Sequence, residues 1–148
     1  MTQAEKYSWL SLITTGAIFL YFKMKMLDGW SVVDQSAERL IGVYVVVVIL
    51  AIIAETALAL FVAGARGAVT KDERDHSIEA KSNGNAYFFI CAAVNVIVLQ
   101  LLADEAFAGH ILPRIDLTSP PTIFFALFEI LFAAQFVKLL STLIYYRV

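Results

Sequence analysis

The polar side chains best able to do chemistry in this sequence stand inside long apolar stretches. Glu55 lies near the middle of one stretch, in Ala54-Glu55-Thr56-Ala57. The other members of this set are Asn95, Gln100, Glu129, Gln135 and Lys138. A charged side chain at the centre of a bilayer costs about 2.5 kcal/mol or more. We therefore expect Glu55 to be protonated, to be paired, or to face other helices.

Two explanations for these intramembrane polar residues remain open. In the structural one they form hydrogen bonds between helices, each worth about 0.6 kcal/mol on average. In the functional one Glu55 and Glu129 carry protons or ions. A rise of about 1.5 Å per residue places Glu55 at the level of Gln135 and within reach of Lys138, and Glu129 nearer Gln100. These depths predict two polar layers that link the second, third and fourth apolar stretches.

The elements that must position these residues are transmembrane helices. Of the 148 residues, 60% are hydrophobic and 16% are charged, whereas soluble domains are about half apolar and about a quarter charged. Four apolar blocks predict spans at about 7–27, 41–65, 86–105 and 122–146, because a helix needs about 20 residues to cross a bilayer. The first span is long enough only if Lys23 and Lys25 snorkel. The sequence thus predicts an all-α fold, an integral membrane four-helix bundle forming a single domain over residues 1–148.

The distribution of lysine and arginine predicts the orientation of the spans. With four spans, both termini and the middle connector share one side, which carries Lys6, Arg66, Lys71, Arg74, Lys81 and Arg147. The opposite side carries Lys23, Lys25, Arg39 and Arg114. Because the side richer in positive charge usually faces the cytoplasm, we expect cytoplasmic N and C termini.

Several classes of function lack their residue patterns in this sequence. A net charge of −2 argues against a nucleic-acid partner, which would need a basic surface. No cluster of cysteine and histidine, no glycine-rich phosphate loop and no nucleophile elbow is present. We therefore expect no catalytic residues, no metal and no cofactor.

The most charged segment is the connector between the second and third spans. Its charged side chains are candidate partner-binding residues: Asp72, Glu73, Arg74, Asp75 and Lys81. Thr70 and Glu73 have the spacing of a capping box, which predicts a helix that starts at Lys71. The polar run 82–85 is expected to interrupt this helix before the third span. In the preceding connector, Ser31 is expected to cap the second span.

The stretch Asp72-Glu73-Arg74-Asp75, followed by Ile78, Lys81 and Tyr87, resembles a loop of small four-span bacterial membrane proteins of unknown function. In those families a D-E-R-D-x-x-I-x-x-[KR] stretch lies between the second and third spans. The resemblance covers this loop and the four-span plan. It implies a bacterial inner membrane and no particular activity. Such proteins are often encoded near small helix-turn-helix regulators, which makes the loop a candidate docking surface.

Two functions follow as hypotheses. The preferred one is a non-enzymatic interaction or regulatory protein that lies in the lipid bilayer. It would bind a cytoplasmic regulatory protein through the loop, or other membrane subunits or its own copies through the spans. The alternative is a small ion or proton channel or transporter component that uses Glu55 and Glu129, which would require an oligomer.

Overall fold

The computed structural model describes residues 3–64, 72–106, 117 and 119–147. Within these ranges the chain is all-helical apart from one short hairpin, which confirms the predicted all-α class. The helices are α1 (Gln3–Met26), α2 (Ala37–Ala63), α3 (Glu73–Ala106) and α4 (Pro120–Arg147). The hairpin strands are β1 (Leu27–Asp28) and β2 (Ser31–Val32).

Three of the described helices are long and apolar enough to cross a bilayer. They are Ala37–Val62 within α2, Glu73–Leu102 within α3, and the whole of α4, whose most apolar 18-residue stretches have mean hydropathies of 2.9, 1.9 and 2.0. The 24 residues of α1 are long enough by count. It is not among these three helices, however, and serine and threonine side chains interrupt its apolar stretch.

The hairpin between α1 and α2 corrects the predicted cap of the second span. Asp28 pairs with Ser31 across the two strands, and Gly29 between them has a φ of 61°. A two-residue hairpin turn needs this left-handed conformation at its first position, and glycine adopts it without strain. Ser31 is therefore a strand residue, and the N-cap of α2 is Ser36. The carbonyl of Ser36 accepts hydrogen bonds from the first turn of that helix.

The first helix has two others packed against it. α1 contacts both α2 and α4, whereas α3 packs on α4. Small side chains on α1 are buried at a spacing of three or four residues, namely Ala4, Ser8, Ser11 and Thr15. Such small residues allow helix backbones to approach closely within a bilayer. The serines and the threonine of α1 therefore face protein.

An aromatic cluster of α1 and α4 packs beside the hairpin. Phe22 of α1 is fully buried, and its ring centroid lies 5.2 Å from that of Phe128 and 5.7 Å from that of Phe125 on α4. Met26 and Val43 belong to the same core. Aromatic pairs at these distances stabilise a fold beyond their buried area alone.

The predicted interruption of the third helix is wrong, because α3 runs unbroken through residues 82–85. Asn85 Nδ2 donates hydrogen bonds of 3.1 Å to Ser141 Oγ and to Tyr145 Oη on α4. An asparagine disfavours a helix chiefly when its side chain bonds to nearby backbone. Here α4 takes up the amide, so the backbone of α3 remains helical.

Candidate functional site

Glu55 on α2 is held by two hydroxyl groups of α1. Tyr7 Oη donates a hydrogen bond to its Oε2, and Ser11 Oγ donates one of 2.6 Å to its Oε1. Tyr7 and Ser11 are four residues apart and therefore lie on the same face of α1. The donors thus come from the first helix, whereas the depth estimate had matched Glu55 with Gln135 and Lys138 of the fourth. The periodic small polar residues of α1 were the signal that could have revealed this.

Glu55 lines a cavity of about 380 Å³ that we call the polar cavity. All four helices contribute to its wall. Its ionisable wall residues are Tyr7, Glu55, Asp75, Glu79, Lys138 and Tyr146. Three of these are carboxylic acids and one is an amine. The volume falls within the range of about 300 to 1,000 Å³ that is common for small-molecule sites.

Asp75 joins the start of α3 to the end of α4 at one side of the polar cavity. Its Oδ1 accepts a hydrogen bond of 2.7 Å from Tyr146 Oη. The backbone N–H of Asp75 donates to Asp72 Oδ1 at 2.7 Å, and that of Asp72 donates to Asp75 Oδ2 at 3.2 Å. This reciprocal pair is a capping box for α3.

The cap gives two of the charged connector residues a structural role, whereas the sequence analysis proposed all of them for partner binding. Its two aspartates, Asp72 and Asp75, hold the helix start, and Asp75 is buried. Glu73, Arg74 and Lys81 are exposed. The capping pair predicted at Thr70 and the helix start predicted at Lys71 fall on residues outside the described ranges.

A second cavity of about 340 Å³, the apolar cavity, lies between α1, α2 and α4. Its walls are mainly aliphatic and aromatic, with Val47 from α2 and Phe128 and Phe132 from α4. Glu55 and Gln135 line both this cavity and the polar cavity. Glu55 therefore stands at the boundary between a polar space and an apolar one.

Glu129 has a different environment. Its Oε1 lies 2.7 Å from Lys23 Nζ of α1, and each of these side chains is 30% exposed. The same ammonium lies 4.8 Å from the ring centroid of Phe125 and 5.1 Å from that of Phe19. Lys23 therefore forms an ion pair with α4, a contact that the sequence analysis did not predict. Glu129 lines neither of the two cavities around Glu55.

The structure brings together some of the predicted intramembrane residues and separates others. Gln135 and Lys138 share the polar cavity with Glu55, as the depth estimate predicts. Asn95 is exposed on α3, where its Nδ2 donates to the carbonyl of Cys91 in its own helix at 2.8 Å. Gln100 is buried further along α3.

The described residues contain no group of three or more His, Cys, Asp or Glu side chains placed to hold a metal ion. The wall of the polar cavity offers carboxylates, hydroxyls and an amine. No protein-family model, curated protein or solved structure matches this chain.

Proposed function

We propose that this chain is a four-span protein of the bacterial inner membrane that moves protons, with Glu55 as the group that takes them up and releases them. Three helices of sufficient length and hydropathy support the membrane location. The burial of α1's small polar residues supports α1 as the fourth span. The excess of lysine and arginine on the side of the termini supports their cytoplasmic placement. The proposal includes no enzymatic activity.

The observation that carries this proposal is the position of Glu55 on the shared wall of two cavities. A carboxylic acid within a span raises the free energy of the protein when it is charged. Such residues are therefore rare within spans and usually have a function there. Tyr7 and Ser11 hold the carboxylate in place through hydroxyl groups, which can themselves relay protons. The polar cavity supplies further titratable groups in its wall, including Glu79 and Asp75.

Proton flux in liposomes tests this function. A potassium gradient with valinomycin drives protons inward, and a trapped pH-sensitive dye reports their entry. We expect wild type to acidify the lumen of the liposomes. Glu55→Gln should reduce the rate of proton entry at least about tenfold, because a glutamine amide does not take up and release protons as a carboxyl group does. Asn95→Ala is the matched control, because Asn95 is a polar residue of a span that lies outside both cavities. Equal rates in wild type and Glu55→Gln would remove the proposal.

Exposed charges on the first turns of α3 support a second candidate function, docking of a cytoplasmic regulatory protein. Glu73, Arg74 and Lys81 are exposed and take no part in the cap of α3. Reversing Glu73 and Arg74 together should release a partner that co-purifies in mild detergent, while the fold is retained. Unchanged co-purification would contradict this function.

A further inference from the structure

The apolar cavity has one carboxylic acid in its wall, Glu55. Aromatic rings of Tyr44, Phe128 and Phe132 and aliphatic side chains form most of the remainder. A mainly apolar space with a single acid at one end differs from the polar cavity, which has three acids and a lysine. This contrast defines the kind of ligand that each cavity suits.

A bare metal cation does not suit the apolar cavity. Hard cations such as Ca²⁺ take about six to eight oxygen ligands at close range. The cavity offers few oxygens for its volume of about 340 Å³. An organic cation with an apolar body needs only one counter-charge, while aromatic rings stabilise both its apolar groups and its positive charge.

We infer that the apolar cavity binds a small organic ammonium ion whose apolar body contacts Phe128 and Phe132 and whose charge lies beside Glu55. This inference rests on the proposed function, since it names a second cation for the same carboxylate. Tyr7 and Ser11 each occupy one acceptor position on the two carboxylate oxygens. An ionised carboxylate has about four such positions, so Glu55 retains capacity to meet a cation.

Because Glu55 borders both cavities, a proton and the ammonium ion compete for one carboxylate. Other polar groups face this carboxylate: Tyr7 and Ser11 from α1, Gln135 and Lys138 from α4, and Asp75 and Glu79 of α3 across the polar cavity. Protonation removes the negative charge that attracts the ligand. Affinity for the cation therefore falls as the pH falls, and binding of the cation displaces a proton from Glu55. Uptake of one species against the other would then be an exchange.

The test uses two ligands of the same shape, phenyltrimethylammonium and its neutral carbon analogue tert-butylbenzene. Binding to the purified full chain in detergent is measured by isothermal titration calorimetry at two pH values. We expect the cation to bind more tightly than the neutral analogue and to bind more weakly at the lower pH. Glu55→Gln should weaken binding of the cation at least about tenfold, which corresponds to about 1.4 kcal/mol. It should also abolish the pH dependence of this affinity.

A second variant keeps the test decisive if Glu55→Gln folds poorly. Ala51 lines the apolar cavity and not the polar one, so Ala51→Leu should fill the former and weaken cation binding at least about tenfold as well. Asn95→Ala should bind the cation as wild type does. Absence of binding, equal affinity for both ligands, or unchanged affinity in Glu55→Gln or Ala51→Leu would overturn the inference.

The liposome assay separates this inference from the proposed function. Glu55-dependent proton flux without binding of phenyltrimethylammonium would leave the proposed function in place and overturn the inference. Glu55-dependent binding without proton flux would support the cation site and remove the proposed function.

Discussion

The two glutamates inside the apolar helices differ in how they are satisfied. Glu129 pairs with the ammonium of Lys23, against the ring of Phe125. Glu55 receives hydrogen bonds from Tyr7 and from Ser11 and borders two cavities. The first acid has a counter-charge and close packing, whereas the second has only neutral donors and open space beside it.

This difference separates an acid that holds the fold from one that can change state. Removing either partner of a partly buried ion pair leaves a charge unpaired, so the pairing of Glu129 is expected to stabilise the fold. The hydroxyl groups of Tyr7 and Ser11 can rotate and can both donate and accept hydrogen bonds. They can therefore bind Glu55 whether or not it carries a charge. Both acids are glutamates within long apolar helices. The neighbours of each acid determine its role.

The largest effect on stability is expected in the aromatic cluster, from Phe22→Ala. Phe22 is 0% exposed and contacts several phenylalanines of α4. Loss of a buried phenylalanine typically lowers the free energy of unfolding by about 3 kcal/mol or more. Unfolding in mixed micelles, followed by circular dichroism, measures this change. Phe61→Ala is the control, because Phe61 is 77% exposed on α2; a similar loss in both variants would mean that the cluster is not the core.

An intermediate effect is expected from breaking the ion pair. Lys23→Met leaves Glu129 without its counter-charge, and we expect a loss of about 2 kcal/mol, reduced from the fully buried range because both side chains are partly exposed. The double variant with Glu129→Leu should recover most of that loss. Glu55→Gln, measured in the same way, should change stability by no more than about 1 kcal/mol. A greater loss for Glu55→Gln than for Lys23→Met would reverse the comparison between the two acids.

Hydropathy and spacing predict the parts of this fold that depend on local sequence. The all-α class and the shared level of Glu55, Gln135 and Lys138 follow from counting residues along apolar blocks. The counterpart of Glu129 does not, because Lys23 approaches it only once α1 packs on α4. The sequence carries no direct record of which helices are neighbours.

Two local predictions failed for reasons of tertiary structure. Ser31 resembled a helix cap, but the turn at Gly29 reverses the chain and makes Ser31 a strand residue. Asn85 resembled a helix breaker, but Ser141 and Tyr145 on α4 bind its amide. In both cases a contact absent from the local pattern determined the conformation.

The smallest effect is expected at the charged connector, where Asp72→Ala removes one half of the cap of α3. The carboxylate of Asp72 accepts the backbone N–H of Asp75 at 2.7 Å, and loss of an N-cap lowers stability by about 1 kcal/mol. Glu73→Ala is the matched control at the next position, where an exposed side chain should change stability by less than about 0.5 kcal/mol. Because Asp75 also binds Tyr146 beside the polar cavity, the loosened cap should disturb proton flux more than Glu73→Ala does. Equal stability and equal proton flux in the two variants would contradict a structural role for Asp72. That result would favour a docking surface as the function of this segment.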